Sequence, residues 1–208
     1  MEENNQLITP ENGNPGKPEG ENGQKMLKRM NESHAPLRDW GFEPIVWKDK
    51  MHILDEGCGG GATIADMLHY SDESIVEGID YMETSVKESE FFNQQYIGTR
   101  CKICQGDVAN LPYEGETFDL VTAVETIYFW PDIERAFAET YRVMKTGATF
   151  AVFCEASDPE NHGWSRPADV HFRVYRPEEL KTYMENAGMR KVTVRRGPKQ
   201  YIAVYGVK

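Results

Sequence analysis

Basic residues are scarce in this chain: 23 Lys and Arg stand against 34 Asp and Glu, for a formal net charge of −11. A protein that neutralises a phosphate backbone needs Lys and Arg in excess, so no nucleic-acid partner is expected. One small basic cluster, Lys25, Lys28 and Arg29, reads as the solvated face of a helix. Long apolar runs are also missing. None approaches the ~20 residues that span a bilayer, and the N-terminus lacks the basic-then-apolar plan of a signal peptide. A soluble, cytoplasmic protein with no membrane partner is expected. Cysteine is sparse as well, at four residues. Cys101 and Cys104 form one C-x-x-C with no second pair or nearby His to complete a zinc site. That pair opens a predicted strand, not the helix N-terminus that depresses a redox thiol. The cysteines are assigned structural roles, and no metal site is expected.

What the chain does have is enough length for a substantial core: 208 residues, 39% hydrophobic, fit one globular domain with a modest extension. Residues 1–23 are rich in Asn, Glu, Gly and Pro, which leaves little apolar surface to offset ordering entropy, and predict a flexible arm. Residues 24–50 read as a helical lid segment. Met26, Leu27 and Met30 mark one face of a helix over Gln24–His34, Ala35-Pro36 stops it, and Leu37–Phe42 resumes as a second short helix. Residues 51–208 alternate strand and helix. Strands are predicted near residues 53–56, Ser74–Asp80, Cys101–Asp107, Phe118–Glu125 and Thr149–Cys154. Helices follow at Ala62–Leu68, Thr84–Tyr96, around Ile133–Met144, and after Pro177. Lys191–Arg196 and Tyr201–Val207 close the chain as an antiparallel pair across Gly197-Pro198-Lys199. The fold class is therefore α/β, a doubly wound Rossmann-like seven-stranded sheet. It has five parallel strands plus a C-terminal hairpin with one antiparallel strand, and helices on both faces.

The chain is organised around Ile53-Leu54-Asp55-Glu56-Gly57-Cys58-Gly59-Gly60-Gly61, a strand running into a glycine turn and then a helix. Glycines there accept positive φ and let a ligand approach the backbone, and the helix start presents free N–H groups. Such a turn at the first crossover is a nucleotide-type cofactor site. Alone it does not choose the cofactor, since Gly57, Gly59 and Ala62 also satisfy a dinucleotide pattern. Three strand-end acids tip the balance. Asp55 places a carboxylate where a pyrophosphate would be crowded by negative charge and a cationic group is suited. Asp80 can accept from two adjacent ribose hydroxyls, and Asp107 from an adenine amino group. Together they describe a pocket for a cationic adenosine derivative.

On these residues the sequence resembles the class I S-adenosylmethionine-dependent methyltransferases. Asp55-x-Gly57-x-Gly59-x-Gly61 is similar to that family's first motif, Gly78-Ile79-Asp80 to its ribose-binding acid, and Gly106-Asp107-Val108-Ala109-x-Leu111-Pro112 to its adenine-binding segment. Phe118-Asp119-Leu120-Val121 resembles its fourth strand and Tyr141-Arg142-Val143-Met144-Lys145-x-Gly147 its turn before the fifth. The likeness is greatest to methyltransferases of the ubiquinone/menaquinone-biosynthesis type. Met30-Asn31-x-x-His34 with Trp40-Gly41 resembles a bacterial subgroup. Two departures stand out: Glu56 lies where an apolar residue is usual and needs solvent or a partner, and Lys145-Thr146-Gly147-Ala148 replaces Lys-Pro-Gly-Gly.

The resemblance implies S-adenosyl-L-methionine as cofactor, S-adenosyl-L-homocysteine as product and a small-molecule substrate, in a monomer or homodimer. It implies cofactor contacts from Asp55, Gly57, Cys58, Gly59, Gly61, Asp80, Tyr81, Met82, Gly106, Asp107, Val108 and Glu125, with Asn31 closing over the methionine moiety. Transfer from a sulfonium is an in-line displacement that needs alignment, dryness and, for some acceptors, a base. The candidate catalytic residues are His34, Tyr128 and His171, and Trp164, Phe172 and Tyr175 are candidates for an aromatic substrate wall. Two competing readings are a non-catalytic S-adenosylmethionine or S-adenosylhomocysteine sensor or partner subunit, and an NAD-dependent dehydrogenase.

Overall fold

In the computed structural model, which describes residues 14–164 and 170–208, the alternating apolar runs assemble into one seven-stranded sheet. The strands are β1 (His52–Glu56), β2 (Ile75–Asp80), β3 (Cys101–Gln105), β4 (Phe118–Val124), β5 (Met144–Cys154), β6 (Arg190–Arg196) and β7 (Ile202–Val207). The helices are α1 (Gly20–Ser33), α2 (Ala35–Phe42), α3 (Ala62–Tyr70), α4 (Glu83–Phe92), α5 (Ile133–Val143) and α6 (Pro177–Asn186). The sheet order is β3-β2-β1-β4-β5-β7-β6. The first five strands pair in parallel, and β7 pairs antiparallel with both β5 and β6. This is the doubly wound sheet and closing hairpin that the sequence predicts.

Strand alternation divides the core into two layers. Leu54, Ile79, Val121, Phe150, Val152 and Val204 face one cluster, which α5 and α6 complete with Phe137, Leu180 and Met184. Ile53, Val76, Leu120, Ala151, Phe153 and Ala203 face the other, where Leu37 of α2 and Ile64 and Met67 of α3 pack. Runs that read as continuously apolar are thus buried on both faces, as parallel strands require. α5 shows how sequence makes a helix here. Asp132 caps it by accepting from the Arg135 N–H at 3.1 Å, and Ile133, Ala136, Phe137, Thr140 and Val143 form its buried stripe.

Several boundaries differ from the sequence reading, each for a local reason. α1 begins at Gly20, so Gly20–Gly23, expected within the arm, are helical, and the buried Gly23 packs its backbone on Pro18. The arm expectation for residues 1–13 lies outside the described residues. Ala35-Pro36 does not merely stop α1; Pro36 sits in the first turn of α2, where its missing N–H costs nothing. α4 ends at Phe92, not Tyr96, because the Asn93 side chain turns back to donate to the Gly61 and Ser89 carbonyls at 3.0 Å each. β3 stops at Gln105, leaving Asp107 to cap a single-turn 3-10 helix over Val108–Asn110. β5 begins five residues early, at Met144, where that residue pairs with Phe118.

The unusual Glu56 finds its partner inside the protein. Its carboxyl is fully buried and sits 2.9 Å from the Thr140 hydroxyl at both oxygens, and burial pushes its pKa well above the ordinary range. The C-x-x-C pair is structural in its setting. Cys101 is buried with its thiol pushed up to about 12, and the Cys104 sulfur lies 3.3 Å from the Tyr113 hydroxyl. Among the described residues no helix is long and apolar enough to cross a membrane.

Candidate functional site

Sheet order reverses between β1 and β4, and in open α/β sheets the crevice beyond the strand ends at such a switch point is where ligands bind. A cavity of about 600 Å³ opens there, within the range of small-molecule sites. Its floor is the glycine turn after β1. Gly57 holds φ +70° and packs so tightly on Thr126 that a Cβ would fall 1.9 Å from its hydroxyl oxygen. The Gly57 and Cys58 N–H groups both donate to the Ile79 carbonyl, at 2.8 and 3.1 Å, which pins the turn against β2. Gly59, at φ +52°, has only Leu27 within 4 Å of its missing side chain, so its backbone is open to the cavity. Gly61, at φ +84°, caps α3 against Ser89 and Asn93 and does not line the cavity.

The three strand-end acids take three different positions. Asp80 lines the cavity with both carboxylate oxygens engaged, Oδ2 accepting from the Gly59 N–H and Oδ1 from the Met82 N–H, each at 2.9 Å. Burial raises its pKa, and these backbone donors oppose that shift. Asp107 lines the cavity between Gly106 and Val108, exposed, with its Oδ1 accepting from the Ala109 N–H at 2.9 Å. Asp55 does not reach the cavity. It points into the sheet, fully buried, accepts from the Thr122 hydroxyl at 2.7 Å, and burial pushes its pKa up to about 7. Asp55, expected to contact a ligand, thus has its carboxylate on Thr122 of β4 and is not among the residues that line the cavity.

The opposite wall comes from the N-terminal residues. Asn31 of α1 donates to the Gly60 carbonyl at 2.9 Å, and Arg38 in turn holds the Asn31 carbonyl at 3.0 Å and the Asp66 carboxylate at 2.7 Å. His34, between α1 and α2, faces the cavity, where burial and the nearby Arg38 and Arg29 lower its pKa to about 4. Its Nε2 lies 3.9 Å from Glu125 Oε2, beyond hydrogen-bond reach. Glu125 follows β4 with a left-handed φ of +56°, a conformation that costs a non-glycine residue about 1–3 kcal/mol and tends to mark functional positions. Burial and the neighbouring Glu155 push its pKa up to about 8.

Tyr128 does not face the cavity. Fully buried behind Glu125, it donates to Glu125 Oε1 at 2.8 Å and accepts from the Ala156 N–H at 3.2 Å, so its place is to position that carboxyl. Tyr81, Met82 and Cys58 line the cavity, Tyr81 with a largely exposed ring. His171 lines it too, from the exposed side. Trp164 and Phe172 join Tyr128 and Phe129 in an aromatic group, the Tyr128 and Trp164 rings 5.3 Å apart and edge-on. Tyr175 packs against Tyr183 instead, 6.1 Å away, and is core.

Two sets of residues escaped the sequence reading. Glu155 follows β5 as Glu125 follows β4, and its N–H donates to Glu125 Oε1 at 2.5 Å. Carrying the strand-end rule one strand further would have found it. Pro15, Gly16, Lys17 and Pro18 line the cavity, and no spacing signal in that low-complexity stretch announces it.

Residues 54–152 match the family model described as Methyltransferase domain. The chain is 29% identical over 181 residues to 2-methyl-6-phytyl-1,4-hydroquinone methyltransferase 1, chloroplastic, of Oryza sativa subsp. japonica, covering 84% of this chain and 53% of that protein. It is 28% identical over 131 residues to sterol 4-C-methyltransferase strm-1 of Caenorhabditis elegans, covering 63% and 38%. The chain thus spans about half or less of the length of these curated relatives. Its fold is shared by a SAM dependent methyltransferase from Aquifex aeolicus, with a TM-score of 0.73 and 22% identity over 88% of this chain and 97% of that one. It is also shared by a Haemonchus contortus phosphoethanolamine N-methyltransferase 2 solved with phosphomonomethylethanolamine and S-adenosylhomocysteine. That match has a TM-score of 0.68 at 11% identity, covering 89% and 58%.

Proposed function

We propose that this chain, which belongs to the class I S-adenosylmethionine-dependent methyltransferase family, transfers a methyl group from S-adenosylmethionine to a small-molecule acceptor. The observation that carries this reading is the cavity-facing Asp80, fixed by the Gly59 and Met82 N–H groups beside an open glycine backbone. The surrounding backbone N–H groups and the Ser85 side chain hold the carboxylate in one orientation at the cavity, and a carboxylate so held can accept from the two adjacent hydroxyls of a ribose. Gly59 leaves room for close backbone approach, and the cavity has the volume of a small-molecule site. These residues fit the cofactor.

In this reading Asp80 takes the ribose, with Tyr81 and Met82 beside it. Gly106, Asp107 and Val108 take the adenine, while Gly57, Cys58, Gly59 and Asn31 border the methionine moiety. When bound, the cofactor supplies a methyl group already activated by its sulfonium charge. The chain's own task is then alignment, exclusion of water and removal of a proton where the acceptor carries one. Phe129, Trp130 and the Pro15–Pro18 segment wall the cavity. His34 faces the cavity with its ring neutral at neutral pH, and its pKa of about 4 makes it a weak proton acceptor, suited to an acceptor group that loses its proton readily. Glu125, oriented by Tyr128, faces it.

The test pairs binding with turnover. Calorimetry should detect S-adenosylhomocysteine but not NAD, and mass spectrometry should detect methylated products when protein and S-adenosylmethionine meet a metabolite extract. NAD binding without S-adenosylhomocysteine binding would overturn the reading in favour of a dehydrogenase. Tight cofactor binding with no methylated product would favour a sensor.

A further inference from the structure

In the methyltransferase reading Gly106, Asp107 and Val108 take the adenine, and all three lie past the end of β3 at Gln105. The stretch they begin is tied down at both ends. At its start the Gly106 N–H donates to the Asp80 carbonyl at 2.9 Å. At its far end the ties are two side chains of α5, Glu139 and Arg142, neither of which lines the cavity. Glu139 Oε2 accepts from the Leu111 N–H at 3.0 Å, and Arg142 Nη2 donates to the Leu111 carbonyl at 3.1 Å. Arg142 Nη1 donates to the Tyr113 carbonyl at 2.7 Å. The N–H and C=O of the buried Leu111, which need partners, are thus met by side chains in place of a neighbouring strand.

The geometry of the pair makes it a firm anchor. Arg142 Nε and Nη2 donate to Glu139 Oε1 and Oε2 at 2.8 Å each, a bidentate fork set up by their i,i+3 spacing on α5. These bonds hold the Glu139 carboxyl below its usual range, so it is charged at neutral pH. α5 itself is fixed by the buried Ala136, Phe137, Thr140 and Val143. An ion pair with one side open to solvent adds little to stability on its own. This one directs its remaining donors and an acceptor oxygen at a single loop. Between Leu111 and the adenine residues lies only the 3-10 turn Val108–Asn110. It is closed by the Asn110 N–H on the Asp107 carbonyl and the Ala109 N–H on Asp107 Oδ1, each at 2.9 Å. Such a turn rises about 2.0 Å per residue and has little slack, so a shift at Leu111 carries Asp107 and Val108 with it.

We propose that Glu139 and Arg142 are positioning residues for cofactor selection, holding the turn after Asp107 in the register that accepts an amino-bearing purine and refuses an oxo-bearing one. A carboxylate accepts from an amino group and has no donor to offer an oxo oxygen. Held in place, Asp107 keeps that preference. On a loosened turn it can slide to the ring N–H that an oxo purine carries beside its oxygen, and the preference falls. The proposal deepens the methyltransferase reading and rests on it.

Calorimetry on the full chain compares S-adenosylhomocysteine with S-inosylhomocysteine, which carries an oxo group in place of the adenine amino group. The unaltered chain is expected to bind the first about tenfold or more tightly, the ratio that a hydrogen bond to a charged group supplies. Arg142→Lys keeps a charge beside Glu139 but cannot fork across the Leu111 and Tyr113 carbonyls. Glu139→Gln keeps the side-chain shape and gives up the charged acceptor. Each variant, checked for folding by circular dichroism, is expected to cut the ratio to about threefold or less. A merely structural role would weaken both ligands alike and leave the ratio unchanged, and that result in either folded variant overturns the proposal. So does an unaltered chain that binds both ligands equally, which leaves the methyltransferase reading standing. Binding of neither ligand by the unaltered chain sinks that reading and this one together.

Discussion

Asp80 and Asp55 are both strand-end carboxylates two residues or fewer from a glycine or a turn, yet they do different work. Asp80 faces the cavity and ties the glycine turn to β2, whereas Asp55 spends its hydrogen bond on Thr122 inside the sheet. Asp80→Asn should weaken S-adenosylhomocysteine binding about 10- to 100-fold, since a charge-assisted acceptor becomes a neutral one with half the accepting capacity. Asp55→Asn should change it by less than about threefold, because the amide can keep the Thr122 contact and the side chain does not line the cavity. Calorimetry on the two variants decides between the positions; equal losses would contradict the buried orientation of Asp55. A second residue-scale consequence concerns pH. Asp55 at about 7, Glu125 at about 8 and Glu56 well above its ordinary value all hold protons in the fold that the unfolded chain releases nearer pH 4. Their stabilising contribution is present below the unfolded pKa and is lost as pH rises through the folded values. The thermal midpoint should therefore fall from pH 5 to pH 8.5. Glu56→Gln, uncharged throughout, should shallow that fall and raise the midpoint at pH 8 by a few degrees, as about 1 kcal/mol does in a domain of this size. A midpoint that rises across the range, or a slope untouched by the substitution, would contradict it.

At the scale of elements, the glycine turn is where sequence and structure meet most directly. Gly57 needs a left-handed φ and leaves no space for a methyl group beside Thr126. Gly57→Ala should destabilise the chain by about 2–3 kcal/mol or displace the turn, with cofactor affinity lost in calorimetry even where circular dichroism reports an intact sheet. Retained affinity would mean that the turn is more adaptable than its packing indicates. The turn, the strand order and the Asp80 and Asp107 positions were legible because each is a local pattern: glycine spacing, apolar runs, an acid closing a strand. The direction of Asp55 was not, since it depends on which neighbour offers a hydroxyl, and Thr122 lies 67 residues away. The convergence of His34, Glu125 and Glu155 was not legible for the same reason, as three elements far apart in the chain meet only when the sheet closes. Tyr128 is a catalytic candidate by sequence, but the 3-10 turn over Ile127–Phe129 sets its ring under Glu125 and gives Phe129 the cavity.

For the whole molecule, the cavity has two walls of different origin. One is the carboxyl edge of β1, β2 and β4, continuous with the core. The other is the chain before β1, where Asn31 binds the Gly60 carbonyl, Leu27 approaches Gly59, Gly16 packs on Phe129 and His34 faces Glu125. α1 also buries Met26 and Leu27 and packs on α4. If ligand affinity came from the strand edge alone, removing that second wall would leave it unchanged. Because the second wall supplies polar contacts and excludes water from the first, its loss should open the crevice and lower affinity while the sheet, whose ladder involves none of these residues, persists. Deleting residues 1–34 is accordingly expected to keep the far-ultraviolet circular dichroism of the sheet and to weaken S-adenosylhomocysteine binding by about 100-fold, the sum of a lost hydrogen bond and renewed solvent competition. The single change Asn31→Ala should reproduce about a tenth of that loss in fold terms. An affinity unaltered by the deletion would show that residues 14–34 cover the cavity without contributing to what it binds.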